Sequence, residues 1–383
     1  MEAVYLDYAA TTPVREEVRA AMAPYESERF GNPSSLHRWG REAAAALEDS
    51  RASVAEALGA RHAEIRFVRG GTESDNLAIV GACRALCAHG APPRLLVSAV
   101  EHTAVMAAAE HATEAGLAVY DRIPVFPDGS MDFGFLRDAL GNGPAVVSTM
   151  WVNNETGMVL PVAELAAIGK EGGATVHTDA SQAVGKVPVD LSEVPVDLLT
   201  ATGHKIYGPK GMGILFVRSG TSVSPLLYGG GQERALRPGT EDVGGAVGFA
   251  TALRLAVASQ ADDAARIARL RERLEAGVTA SLDGTRINAG GAPRAPHVAS
   301  LGFMGIASGP SLVMALDLEG LAVSGGSACS SGSSKGSHVI AALYGADDPY
   351  VNVRFSFGRR TTEAEIDRAV TITTAVVNRV RDA

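Results

Sequence analysis

The feature that most constrains this chain is a repeated switch between short β-rich runs and helix-forming stretches. The runs EIRFV (64–68), RLLVSAV (94–100), AVVSTMWV (145–152), ATVHT (174–178), VDLLTAT (196–202) and GILFV (213–217) are separated mainly by helical-looking segments. One of these, 72–90, starts at Thr72, a good N-cap with acids in the following turn. Such alternation predicts an α/β fold, a largely parallel sheet covered by helices. From residue 251 the pattern changes to a long helical stretch (251–278), shorter strands (297–303, 352–357) and a closing helix (362–381), which predicts a second, α+β unit. The expected division is a large domain over 14–255 and a small one built from 1–13 and 256–383.

Composition excludes several classes. Hydrophobic residues make up 46% of 383 positions, enough for a large core. No run of roughly 18 apolar residues suggests a membrane span. The opening MEAVYLDYAATTP lacks a basic region followed by an apolar one, so a cytoplasmic location is expected. A net charge of -9 with both signs mixed argues against direct nucleic-acid binding and fits a small molecule or protein partner. Three cysteines are too few for a disulfide framework. Cys83 and Cys87 read as small core residues of a helix, and no metal site is expected.

Polar residues of a kind that does chemistry follow five of the strands. They are Gly70-Gly71-Thr72, then Glu101 and His102, then Asn153, Asn154 and Glu155, then Asp179 and Gln182, then His204 and Lys205. Ligands of open α/β sheets bind at the carboxyl ends of the strands. Any one of these residues could serve only a turn, and Lys205 alone could be a solvated loop charge. Together they divide into roles. Gly71 and Thr72 open a helix whose N–H groups and dipole favour a phosphate. Asp179 suits a buried cation such as a protonated pyridine nitrogen. Lys205, in a concave apolar site near positive partners, would have a lowered pKa and act as a Schiff-base amine. A phosphate cradle, an acid for a pyridinium and such a lysine together specify pyridoxal 5'-phosphate (PLP). Lys210 then reads as a structural turn residue.

Ten ordered stretches extend this reading over the chain: YLDYAATTP (5–13), FGNPSSLH (30–37), GGTESDN (70–76), EHTAV (101–105), VNNETG (152–157), TDASQAVGK (178–186), GHKIYGPKG (203–211), RPGTEDV (237–243), GGSACSSGS (325–333) and VRFSFGR (353–359). In this order they resemble the motifs of the cysteine desulfurases of the NifS/IscS type, in the class V aminotransferase superfamily. The resemblance implies the aspartate-aminotransferase-like PLP fold, fold type I, working as a homodimer. It implies Lys205 as the lysine that carries the cofactor, Asp179 as partner of the ring nitrogen, His102 as the stacking imidazole that assists proton transfer, and Gln182 on the ring oxygen. Gly71, Thr72, Thr202 and His204 fall at phosphate-binding positions, with Thr240 reaching the phosphate from the other subunit. Thr202 stands where serine is common, and the hydroxyl is kept. Asn154 and Arg354 match the groups that hold the substrate carboxylate, Arg354 by a bidentate fork.

Cys329 decides between reactions. It lies in VSGGSACSSGSSKGSHVI (323–340), a Gly-Ser loop (about 324–337) where a structural cysteine is out of place. An incidental exposed thiol is the bland alternative. The resemblance makes Cys329 the thiolate that attacks the sulfur of L-cysteine, leaving a persulfide and releasing L-alanine, and assigns the loop to the long, mobile group. The segment SSKGS departs from the leucine-glutamate-proline often found there, which leaves acceptor choice open: an iron–sulfur scaffold or another sulfur-carrier protein. The rival readings are another class V PLP enzyme, such as a selenocysteine lyase or an aminotransferase, and a non-catalytic relative. The first has no general need of a loop cysteine, and the second would be expected to have lost Lys205 or Cys329.

Overall fold

The computed structural model describes residues 3–88, 90–325 and 336–382. Twelve strands occur among them: β1 (Val4–Tyr5), β2 (Ile65–Val68), β3 (Arg94–Ser98), β4 (Val119–Ile123), β5 (Ala145–Ser148), β6 (Thr175–Asp179), β7 (Leu198–Thr202), β8 (Gly213–Val217), β9 (Thr285–Ile287), β10 (Val298–Met304), β11 (Leu321–Ala322) and β12 (Tyr350–Ser356). Seven form one sheet in the order β2-β8-β7-β6-β5-β3-β4. The pairs β3/β4, β3/β5, β5/β6 and β6/β7 are parallel, while β8 runs antiparallel to both its neighbours. Two reversals restore direction, so β2 ends at the same edge as the parallel strands.

Both faces of this sheet are covered, and the sequence shows why. Leu96, Val147, Val176, Leu199 and Phe216 enter one core, whereas Leu95, Val97, Val146, Leu198 and Leu215 enter another on the opposite face. Neighbouring residues of a strand point to opposite faces, so strands buried twice over read as continuous apolar runs. Burying one Leu or Val side chain contributes about 1.5–3 kcal/mol, so a polar residue within these runs would be costly. Polar residues therefore collect at the strand ends, and those inside, such as His177 of β6 and Thr200 of β7, are hydrogen-bonded.

A separate core covers the antiparallel sheet β12-β10-β9. Leu301, Phe303, Val353 and Phe355 pack there with Leu270 and Leu274 of the helix Gln260–Ser281 and with Ile366 and Val377 of the closing helix Glu363–Arg381. The closing helix has a capping box, Thr362 with Glu365. The N-terminal β1 pairs in parallel with β11, and Val4 and Leu6 join this same core.

The stretch 251–278, expected as one helix, is two: Val243–Ala258 and Gln260–Ser281, broken at Ser259. No glycine or proline marks the break, so the sequence reads as one helical stretch. The helix Gly309–Leu318 takes proline in its first turn. Cys83 is fully buried in the helix Gly71–Cys87, and burial pushes its thiol up to about 12, as befits an inert core residue. No helix among the described residues is long and apolar enough to cross a membrane, and none of their His, Cys, Asp and Glu residues form a cluster that could hold a metal.

Candidate active site

The carboxyl ends of β2, β3, β5, β6 and β7 open onto one cavity of about 490 Å3. Gly71, Thr72, His102, Asn154, Asp179, Gln182, Thr202, His204, Lys205 and Arg354 all line it. Of the remaining site expectations, Thr240 is exposed and lines a different surface pocket, with Met22 and Tyr25. Cys329 and most of its loop lie outside the described residues.

At the end of β2 the chain must reverse into a helix within one residue. Gly70 manages this at φ +103°, ψ −178°, which L side chains rarely adopt. The helix Gly71–Cys87 therefore begins at the cavity, with its first N–H groups lacking intrahelical acceptors. The close approach of β8 supports the turn: a Cβ on Gly213 would lie 2.7 Å from the Ala201 carbonyl oxygen and 3.0 Å from Gly70 backbone. His102 caps the next helix, Thr103–Glu114, its Nδ1 accepting from the Ala104 N–H at 3.1 Å. That bond places the ring proton on Nε2.

Beneath the cavity lies a buried polar layer. Ser148 Oγ meets His177 Nδ1 at 2.9 Å, and His177 Nε2 meets Thr200 Oγ1 at 3.2 Å. Thr200 donates to Ser74 Oγ at 2.8 Å, and Ser74 donates to the Ile214 carbonyl at 2.9 Å. Burial lowers the His177 pKa to about 4, so the ring is neutral at pH 7. Asp75 is held well above the ordinary carboxylate range by burial first and by Asp179 second. Glu101 accepts at Oε1 from Ser98 Oγ and from the Met150 N–H, both at 2.5 Å, yet burial still pushes its pKa up to about 8. Asp179, only 6% exposed, accepts from the Ser181 N–H at 2.8 Å through Oδ1.

Lys205 follows β7 in a short 3-10 turn, Gly203–Lys205. The N-terminal segment wraps over it. Lys205 Nζ donates to the carbonyls of Ala9 (2.6 Å) and Ala10 (2.7 Å). The Thr12 hydroxyl donates to the His204 carbonyl at 2.9 Å and accepts from the Tyr207 N–H at 2.8 Å, at a residue held at φ +64°. His204 Nδ1 lies 3.2 Å from Thr11 Oγ1; burial, then Lys205, lowers its pKa to about 4. The YAATTP motif thus braces the lysine turn.

Arg354, on β12, is 2% exposed. Its Nη1 donates to the Asn154 carbonyl at 2.9 Å and its Nη2 to Asp7 at 2.7 Å, while Nε has no acceptor among the described residues. Part of the expected fork is thus already engaged by the protein. The backbone of Arg354 pairs with Ser324 in both directions. Ser337 donates to Glu155 Oε2 at 2.5 Å, and His338 Nε2 lies 2.8 Å from the Glu101 carbonyl. The described residues Ser324, Ser337 and His338 are thus tied to groups of the cavity wall.

Asp7, Lys186, His297 and His338 are site neighbours that sequence reasoning missed. Each reaches its partners over more than 100 residues, or sits behind a residue that was identified. Asp75 had a local signal, since i and i+3 share a helix face and Thr72 was already singled out.

A dipolar aromatic phosphate fits these groups. Asp179 is a buried acid with one oxygen beyond its Ser181 bond, the helix start at Gly71 favours an anion, and Lys205 supplies an amine. Buried Arg354 Nε, still without an acceptor, would suit a carboxylate beside it.

Residues 4–369 match the family model of the class-V aminotransferases. The chain is 40% identical to the cysteine desulfurase IscS of Dictyoglomus turgidum, over 99% of this chain and 95% of that one. It is 41% identical to the cysteine desulfurase NifS of Azotobacter vinelandii, over 100% and 94%. A solved NifS-like protein superposes with a TM-score of 0.89 at 32% identity, covering 98% of this chain and 99% of the other. A structure described as SspA in complex with cysteine gives 0.79 at 30%, covering 92% and 98%. The chain belongs to the class-V aminotransferases and, within them, to the cysteine desulfurase family. Its fold is the aspartate-aminotransferase-like fold type I.

Proposed function

We propose that the protein is a PLP-dependent cysteine desulfurase that takes sulfur from L-cysteine, releases L-alanine and carries the sulfur as a persulfide on Cys329. The observation that carries this is the convergence of five strand ends on one cavity that holds Asp179, Lys205 and the start of the helix Gly71–Cys87. Bound PLP supplies an electron sink for the substrate carbon. Lys205 holds the cofactor, Asp179 faces the ring nitrogen and Gln182 the ring oxygen. Gly71, Thr72, Thr202 and His204 hold the phosphate, and Thr240 of a second subunit in a homodimer completes that site. His102, with its proton on Nε2 and at the cavity wall, would lie against the bound cofactor and move a proton at the substrate. Asn154 and Arg354 orient the substrate carboxylate.

Cys329 attacks as the thiolate. A sulfur–sulfur bond forms as the carbon–sulfur bond of the substrate breaks, and the electron pair left on carbon takes a proton to give alanine. The persulfide then passes in the cytoplasm to an acceptor protein, an iron–sulfur scaffold or another sulfur carrier.

The test is Cys329→Ser, which keeps the size and polarity of the side chain but replaces a soft nucleophile with a weak one. The variant should still change its visible absorbance when cysteine is added, while alanine and persulfide fall to background. Alanine formed at the wild-type rate would overturn the reading and move the assignment to another lyase or a transaminase.

A further inference from the structure

Gln182 is 4% exposed, lines the cavity and is gripped from three directions. Its Oε1 accepts from Lys186 Nζ at 2.6 Å and lies 3.0 Å from His297 Nε2. Its Nε2 donates to the Ala9 carbonyl at 2.8 Å. Side-chain amides look alike when flipped, so partner chemistry must decide which end is which. A carbonyl oxygen only accepts, so the end facing Ala9 is the NH2. That puts the oxygen at the other end, where it accepts from Lys186 Nζ. Flipping the amide would set oxygen against oxygen and N–H against N–H.

His297 completes the arrangement. It is 3% exposed and immediately precedes β10. To donate to Gln182 its proton must sit on Nε2, which leaves Nδ1 as an acceptor; among the described residues Nδ1 has no partner. Burial first and Lys186 second hold the His297 pKa well below the usual range, so the ring is neutral. The Lys186 residue keeps partial exposure, but burial of its amine, together with Lys205 and Arg354, lowers its pKa well below an ordinary lysine. Its amine carries N–H donors in either protonation state, and it donates to Gln182. One Gln182 N–H goes to Ala9, and one is left over in a residue that lines the cavity.

We infer that Lys186 and His297 are positioning residues that lock the Gln182 amide so that its remaining N–H faces the bound cofactor. This rests on the PLP reading above. Neither residue need touch the cofactor: the lock comes from the turn after β6, the start of β10 and the N-terminal segment, three parts of the chain that meet at one amide. A fixed N–H donor beside the phenolic oxygen of PLP favours the deprotonated, anionic form of that oxygen. It therefore lowers the pH at which the bound cofactor changes colour. His102, His204, Lys205, Arg354, Asp179, Asp75 and Glu101 border the same cavity and also bias that pH. The test therefore leaves them in place and changes a donor without changing charge.

The measurement is a pH titration of the visible band of the PLP-loaded protein, together with the rate of cofactor loss. His297→Leu removes a neutral donor and should move the midpoint up by about half a unit to one unit, roughly three- to tenfold in the proton equilibrium. His297→Asn, which restores an N–H donor, should return it to within about 0.2 units of wild type, a shift of under twofold. An unchanged midpoint in cofactor-loaded His297→Leu overturns the inference. If His297→Leu does not fold, Lys186→Met against Lys186→Gln reads the same quantity: an upward shift in the first, reduced in the second, is expected, and equal midpoints overturn it. A wild-type protein that shows no visible band with PLP would instead sink the functional reading itself.

Discussion

Two sets of ionisable groups surround the cavity, and the fold builds them in different ways: the acids all line it, while two of the bases, Lys186 and His297, stand behind Gln182. The acidic set, Asp75, Glu101, Glu155 and Asp179, comes from the large sheet and the helix that starts beside it. Asp179 ends β6, the other three lie in the chain that follows β2, β3 and β5, and all four are buried. The basic set, Lys186, His204, Lys205, His297 and Arg354, is gathered from turns, the entry to β10 and β12. Within each set the members disfavour one another's charge. Asp75 and Glu101 are raised by burial and further by Asp179. Lys186 and His204 are lowered by burial and further by Lys205. A cavity with internal repulsion of both signs is suited to an occupant that is itself dipolar, cationic at one point and anionic at another.

The largest effect should come from breaking the acidic set where it meets the cofactor. Asp179→Asn removes a buried charge expected to face the ring nitrogen. Breaking a buried pair costs about 3–5 kcal/mol, so kcat/KM for alanine formation should fall by at least about 100-fold. Retained activity in this variant would separate Asp179 from the cofactor.

The basic side, by contrast, is expected to be incomplete in one chain, since Thr240 is exposed and away from the cavity. The protein should sediment as a dimer, and Thr240→Val should speed cofactor loss. Removing one hydrogen bond to a phosphate costs about 1.5 kcal/mol or more, roughly tenfold. Full activity in a monomer would contradict this.

The smallest effect concerns stability. The Glu101 pKa is raised from 4.5 to about 8, so its folded form prefers the proton. Its contribution to stability is complete below the unfolded value of 4.5 and is lost as pH rises toward 8. Glu101→Gln has no proton to lose. In thermal melts it should match wild type at pH 5 and exceed it by about 2 °C or more at pH 8.5. Equal melting at both values would show that Glu101 is not the strained member of the acidic set.

Glu101, Glu155, Asp179 and the lysine turn were legible in the sequence because strands buried on both faces leave mainly their ends for polar residues. That is why Asp179, His102 and Lys205 stood out beside apolar runs. The edge strand β4 did not stand out: its VYDRI is half polar, as an edge permits, and it lacks the continuous run of its neighbours. The basic set was only partly visible. Arg354 was found by resemblance, but Asp7 holds it from 347 positions away, and His297 reaches Gln182 across 115. Such contacts depend on how the second core meets the first, and no local pattern encodes them. Lys186 sat inside a recognised motif, yet its function as a donor to Gln182 needed the fold of the turn.

The proposed function requires that Lys205, and no other amine at the cavity, carry the cofactor. Lys186 is the natural control, because it lies close enough to lower the same neighbours and is itself shifted by Lys205. The PLP-loaded protein should be reduced with borohydride, digested and mapped by mass spectrometry. The expected result is loss of the yellow colour and a reduced pyridoxyl group on the peptide containing Lys205, with none on that containing Lys186, and no trapped label in Lys205→Ala. A label on the Lys186 peptide, or normal cysteine turnover by Lys205→Ala, would contradict it.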